Sequence, residues 1–233
     1  SFVNENVEAL IHVSHADRKK GQDFGVHWSC IDAVVHNAVE VDQTKLNRKK
    51  REGACFVGTI SYRKGFDILA EAWLNCSGVG PLRVVGDGPE LELLRSLSGQ
   101  FSCVEPTGYL SRKKALEQMR HASALVVPSR SESFGLVYLE ALLVGTPVIG
   151  YHRTLKEFIS VLSLTEEESG YIHPFDASRE TPRRLAKVIE RAVKIRENDA
   201  GGRIAKSVSR KVRQHFSWEH IAPELESIYN EVA

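Results

Sequence analysis

Short β-rich runs alternate with helical stretches along almost the whole chain, and that alternation leaves few folds open. It argues for a parallel sheet with helices packed on its faces. The candidate strands are residues 9 to 14, 32 to 37, 54 to 59, 82 to 86, 101 to 105, 124 to 129, 147 to 151 and 170 to 174. Between them apolar residues recur with a period near 3.6: Phe66, Leu69, Ala70 and Trp73 fall at i, i+3, i+4 and i+7. Ser111 stands where the N-cap of the helix "RKKALEQMRHA" is expected. After residue 178 the pattern is helical and highly charged. It closes on an apolar stripe of Trp218, Ile221, Leu225, Ile228 and Val232, which Pro223 is expected to kink or restart.

The 233 residues are ample to bury a core. A formal charge of +1 offers no electrostatic argument for nucleic acid, so any anionic partner must be held locally. No apolar run is long enough to span a bilayer. The four cysteines, Cys30, Cys55, Cys76 and Cys103, contain no Cys-x-x-Cys pair, which points to free core thiols in a reduced compartment and away from zinc. The only methionine is Met119, so the chain does not begin with its initiator; trimming ahead of the small Ser1 would explain that, as would a cut from a longer protein, which the organisation described below favours. "VEVDQTKLNRKKREG", residues 39 to 53, reads as a solvated linker.

One residue stands out from this pattern. Between Ser133 and Tyr151 the only formal charge is Glu140, set among Leu136, Val137, Leu139, Leu142, Leu143 and Val144. A helix apolar on nearly every face is buried, and a buried carboxylate needs a partner. If the helix starts near Phe134 to Gly135, beyond the strand ending at Ser129, its first amides point at the carboxyl edge of the sheet, where such folds bind ligands. Those amides suit a phosphate, and Gly135 allows close approach. Glu140 then lies roughly 7 to 8 Å along the axis, about the reach from a diphosphate to the ribose of the same nucleotide. A ribose donating two hydroxyl hydrogen bonds would satisfy it. So would a structural arginine such as Arg112 or Arg130.

These residues carry a resemblance. "ESFGLVYLE", with "ALLVGTPVI" after it, resembles the Glu-x7-Glu signature of retaining glycosyltransferases with the GT-B fold, specifically glycosyltransferase family 4. "FVGTISYRKGFDIL", "LRVVGDGPELELL", "GYLSRKKALEQM", "HNAVEVD" and "HFSWEHIAPELESIY" resemble further segments of that family in the same order. The resemblance implies an α/β, Rossmann-like parallel sheet with helices on both faces, the C-terminal half of a GT-B fold. Residues 1 to 38 would be the last β-α-β of an N-terminal acceptor domain and 39 to 51 a linker. Residues 52 to 216 would form the donor-binding domain, and 217 to 233 a helix crossing back. Most of the acceptor domain would then be missing, and His15 and His36 are read as packing or surface residues rather than as its active-site histidine.

By the same resemblance Lys64 binds the donor diphosphate with Arg63 beside it, and Glu132 lies near the transferred sugar. Gly58, Thr59, Gly86 and Gly88 line the donor cleft. Tyr109 and Leu110 flank the base, Phe134, Gly135 and Leu136 supply amides, and Glu140 takes the ribose. Thr59 stands where the family has arginine. His152 and Arg153 stand where it has small residues, while Glu157 fits its following glutamate. Gly86 and Gly88 read equally well as a plain turn with Pro89 opening a helix. The activity implied is retaining, metal-independent hexosyl transfer from a UDP- or GDP-sugar to an acceptor glycan, lipid or small molecule, as in polysaccharide synthesis. No separate cofactor, metal or nucleic acid is expected. The location implied is cytoplasmic, with peripheral contact at the membrane face left open. A nucleotide-sugar-binding domain without catalysis of its own, a related epimerase and a two-carboxylate glycoside hydrolase stay open as alternatives.

Overall fold

The computed structural model describes residues 7–23, 30–40, 51–199 and 202–232. Strands β1 (Ala9–His12) and β2 (Ile31–Val34) pair in parallel, with helix α1 (His15–Asp23) between them in the chain. A second, six-stranded sheet holds β3 (Ala54–Val57), β4 (Leu82–Val85), β5 (Val104–Gly108), β6 (Ala124–Val127), β7 (Val148–Tyr151) and β8 (Ile172–Phe175). Its order is β5-β4-β3-β6-β7-β8 and every pair is parallel. All four residues of β6 are fully buried, as a strand covered by helices on both faces must be.

The helices of the larger unit follow the expected periods: α2 (Phe66–Trp73), α3 (Leu91–Gln100), α4 (Arg112–His121), α5 (Leu136–Leu143), α6 (His152–Val161), the short α7 (Glu166–Ser169), α8 (Pro182–Asn198), α9 (Arg203–Phe216) and α10 (Trp218–Val232). α2 packs on α8, and α5 on α9. The C-terminal end of α5 is closed by Arg51, whose buried guanidinium donates to the carbonyls of Val144 and Gly145 and to Thr146 Oγ1. Burial pushes that guanidinium down to about 10, with the Arg196 charge adding to the effect.

Several expectations need correction. The strand placed at 101 to 105 lies at Val104–Gly108, because the Phe101 amide is spent on Leu97 O in closing α3. Pro89 does not open a helix; α3 begins at Leu91 with Glu90 as its N-cap. Ser111 is the N-cap of α4, but its hydroxyl makes no capping bond. Cys55 alone of the four cysteines is fully buried and Cys103 is exposed, so the thiols are not all core. α10 runs through Pro223 without a break, and of its apolar stripe only Ile221 is buried. The linker falls mostly on residues 41–50, outside the described residues; its flanks, Val39 and Arg51, are buried rather than solvated.

Two sets of contacts here are sensitive to substitution. Gly86 adopts φ 140°, and a Cβ there would stand 1.9 Å from Gly58 O. Gly86→Ala is expected to cost about 2–4 kcal/mol in urea unfolding, whereas Gly99→Ala, in open space on α3, should cost nothing or stabilise by up to about 1 kcal/mol. Glu168 closes a capping box with Thr165 and accepts from Ser207 and Lys211, tying α7 to α9. Burial opposes ionisation, but Lys211, Ser207 and the Thr165 amide outweigh it and pull the carboxyl down to about 2. A depressed folded-state pKa means stability present above the unfolded value and lost as pH falls. The unfolding free energy should therefore drop between about pH 5 and pH 2 by on the order of 2 kcal/mol, and Glu168→Gln should flatten that part of the profile.

Candidate active site at the carboxyl edge of the sheet

The strand order contains one reversal: connections from β3 lead toward β4, and those from β6 lead toward β7. Connections that diverge from two neighbouring strands mark the usual ligand crevice of an open parallel sheet, which here falls at the loops leaving β3 and β6. The loop after β3 runs through Gly58 and Thr59 to a single 3-10 turn, Tyr62–Lys64, capped by Ser61 and ended by Gly65. Gly65 has φ 72°, and a Cβ there would stand 2.1 Å from Pro128 O, so the two loops meet backbone to backbone. The loop after β6 runs from Pro128 to Gly135, whose φ of 81° opens α5.

Lys64 and Glu132 face each other across this crevice. Lys64 Nζ donates to Glu132 Oε1 at 2.6 Å, and Ser129 Oγ donates to the same oxygen at 2.7 Å. The two side chains are 16% and 6% exposed, so the pair is largely shielded from water. Arg130 clamps the loops together. It forms a bidentate pair with Asp67 of α2 at 2.7 and 2.8 Å, donates to Tyr62 O, and stacks 3.6 Å over the Tyr62 ring. The Asp67 hydrogen bonds raise its pKa further. Arg63 reaches Ser131 O only at 3.5 Å and is exposed.

Tyr138 fixes the start of α5. Its fully buried ring lies where a Cβ on Gly135 would stand 2.6 Å away, and one on Gly150 2.3 Å away. Its hydroxyl donates to Val127 O and accepts from the Tyr151 amide. The side chain thus joins the carboxyl ends of β6 and β7. Burial, reinforced by the Glu132 charge, pushes the phenol pKa up. Phe134 is 3% exposed and packs on Phe158, Phe216 and His36, so its side chain belongs to the core and only its backbone can face a ligand. Leu136 is 41% exposed.

Gly58 and Gly86 touch through their backbones, as do Gly88 and Ile60, which joins the ends of β3 and β4 into one wall of the crevice. Thr59 is exposed, Leu110 half-buried, and Tyr109 83% exposed on the loop after β5. Glu140 is paired with Arg112, not Arg130: Arg112 Nε donates to Glu140 Oε1 at 2.7 Å. Glu157 turns toward the β1–α1–β2 unit, accepting from the amides of His15 and Ala16 and lying 2.9 Å from His36 Nε2. Burial works against the ionised Glu157, but the His36 contact and the two amides lower its pKa on balance. His36 is packed and His15 exposed. His152 lies 3.7 Å from Asp176, and Arg153 is exposed in the first turn of α6.

Three residues that the sequence analysis does not single out also hold the Glu132 loop: Ser129, Lys20 and Ser14. Ser129 precedes Glu132 by three residues, a spacing that could have suggested the contact. Lys20, on α1, donates to Ser131 Oγ and to Glu132 O, and Ser14 Oγ donates to Ser133 O. Those contacts join positions more than 110 residues apart, and no local pattern announces them.

The family model described as Glycosyl transferases group 1 matches residues 51–193. A Klebsiella pneumoniae relative, described as an uncharacterized 41.2 kDa protein in cps region, is 31% identical over 178 residues, 67% of this chain and 46% of its own length. The D-inositol 3-phosphate glycosyltransferase of Mycolicibacterium smegmatis is 32% identical over 170 residues, 64% of this chain and 36% of its own. The chain thus spans about half or less of these relatives. Among solved structures, Anabaena HepE in complex with UDP and glucose superposes with a TM-score of 0.78 at 19% identity, over 98% of this chain and 65% of that one. Sucrose-phosphate synthase from Thermosynechococcus elongatus does so with 0.75 at 23%, over 99% and 60%. The fold is that of GT-B glycosyltransferases, and with the family model covering more than half of its length the chain belongs to the Glycosyl transferases group 1 family.

Proposed function

We propose that the chain is the donor-binding part of a nucleotide-sugar-dependent glycosyltransferase, of family 4, that transfers a hexosyl group with retention and without a metal. The observation that carries this reading is the Lys64–Glu132 pair across the crevice between β3 and β6, beside the start of α5. A diphosphate over that start takes the ammonium of Lys64, with Arg63 at the rim. The amide end of α5, where Gly135 makes no side-chain cap, adds the favourable end of a helix dipole. Glu132 is then left with Ser129 at the edge of the sugar subsite. Glu140 receives the ribose diol, and Tyr109 and Leu110 flank the base. Gly58, Thr59, Gly86 and Gly88 form the opposite wall.

In the reaction the bond between the anomeric carbon and the diphosphate oxygen breaks as the acceptor hydroxyl forms its bond on the same face. The leaving phosphate takes the acceptor's proton, so no protein nucleophile is needed. Lys64 offsets the charge that grows on that phosphate. Related proteins support the donor class: HepE has been solved with UDP-glucose, and Staphylococcus aureus TarM with UDP and α-GlcNAc-glycerol. The β1–α1–β2 unit is proposed as the end of an acceptor domain, and α10, with its stripe largely uncovered, as the helix that returns to it. No helix among the described residues is long and apolar enough to cross a membrane. Action at the cytoplasmic membrane face, on a glycan or lipid-linked acceptor, belongs to the proposal.

Thermal unfolding with UDP, GDP and ADP tests the nucleotide reading. One of them should raise the midpoint with the logarithm of its concentration, equally in EDTA. Glu140→Ala should weaken that nucleotide about tenfold or more, the loss of charge-assisted hydrogen bonds. An unchanged shift in this variant would remove the ribose role. Titration calorimetry separates the diphosphate role: Lys64→Met should weaken the diphosphate by about tenfold to a hundredfold while leaving the free nucleoside unaffected. Equal weakening of both would mean that Lys64 shapes the cleft and does not hold the phosphates.

A further inference from the structure

Helix α4 begins against its own electrostatics. Arg112, Lys113 and Lys114 fill its first three positions, and its first turn contains no acidic residue, although the N-terminal end of a helix dipole favours anions. Ser111 contributes no side-chain cap. A cation kept in such a place calls for partners elsewhere, and Arg112 has two. Nε donates to Glu140 Oε1 at 2.7 Å, while Nη1 donates to Glu40 Oε2 at 2.6 Å and Nη2 to Glu40 O at 3.3 Å.

Each partner has a defined place. Glu140 is the lone charge of α5, with its side chain 18% exposed. Glu40 lies on the segment that leaves β2, one residue after Val39, which is buried and donates its amide to Phe216 O. Arg112 itself follows directly on the loop carrying Tyr109 and Leu110. One guanidinium therefore connects the loop after β5, the carboxylate on α5 and the segment arriving from the β1–α1–β2 unit.

We propose that Arg112 is a positioning residue that sets the Glu140 carboxylate for a ribose diol and anchors that setting to Glu40 on the segment that leaves β2. The inference rests on the ribose reading of Glu140 given above. An ionised carboxylate offers about four acceptor positions. Arg112 takes one on Oε1, and Oε2 has no partner among the described residues, so two hydroxyls can be accepted without breaking the ion pair. A glutamate has three side-chain torsions to order when it binds. With the planar fork of Arg112 held on its other side by Glu40, that freedom is lost before the nucleotide arrives. A lone cation at the same position would neutralise Glu140 but would not orient it.

The test is discrimination between ribose and 2′-deoxyribose, read by titration calorimetry with UDP, GDP and ADP and the 2′-deoxy form of each. The wild-type chain should bind the ribose form of its nucleotide about tenfold or more tightly than the deoxy form, and Glu140→Gln should remove most of that preference. Arg112→Ala should cut the preference to about threefold or less, with the ribose form losing more affinity than the deoxy form, which keeps only one of the two hydroxyls. A ratio measured within one variant does not depend on its folded fraction. Arg112→Gln, closer in shape, carries the same expectation if the alanine variant folds poorly. A wild-type ratio kept in both Arg112 variants overturns the inference and leaves Glu140's role standing. A wild-type chain that binds ribose and deoxyribose alike, or binds none of the three nucleotides, overturns the ribose reading and the inference with it.

Discussion

The crevice owes its shape to one buried phenol. Tyr138 sits in the first turn of α5 with its hydroxyl bonded to Val127 O on β6 and to the Tyr151 amide at the end of β7. Its ring occupies the volume that side chains at Gly135 and Gly150 would need. A buried hydroxyl with both its donor and its acceptor satisfied is rigid, because moving it would strand two backbone groups away from water. Helix α5 is therefore pinned at its start to both neighbouring strands, and Arg51 pins its far end through three carbonyl and hydroxyl contacts. Everything else at the carboxyl edge is arranged around a helix that cannot slide.

Around that fixed helix the charges are organised in pairs that cross between elements. Lys64 comes from the loop after β3 and Glu132 from the loop after β6; Arg130 comes from the latter and Asp67 from α2. Arg112 joins α4 to α5, and Lys20 joins α1 to the Glu132 loop. Hydrogen bonds of this kind gain strength where water is partly excluded, and removing one partner leaves the other uncompensated. These pairs hold the loops at the carboxyl edge of the sheet at a set separation. In the transfer proposed above no protein nucleophile takes part, so positioning of charge would be the main contribution of these pairs.

How much of this could be read from the residues depends on the range of the interaction. Strand and helix periods are local, so all eight expected strands occur among the described residues, with β5 displaced by a few residues. That displacement has a local cause too: Phe101 is apolar enough to suggest a strand but is used to terminate α3. The glycines told less than they seemed to offer. "GDG" reads equally as a ligand loop or a turn, and only the meeting of Gly86 with Gly58 and Gly88 with Ile60 explains why side chains are excluded there. For Glu140 the residues left open a ribose or a structural arginine such as Arg112 or Arg130, both on neighbouring elements. The choice fell to Arg112 because Arg130 is already committed to Asp67 and Tyr62.

By itself the sequence determined the class of fold, the elements and the residues that could bear chemistry, because apolar period, capping residues and isolated charges act over a few residues of chain. Only the tertiary structure decided which of those residues meet. Lys64 and Glu132 are 68 positions apart, Arg112 and Glu140 28, and His15 and Glu157 142. Such contacts follow from strand order and from the direction in which each loop leaves the sheet. Neither leaves a mark in local composition, since the free energy that sets them comes from burying whole helices against the sheet.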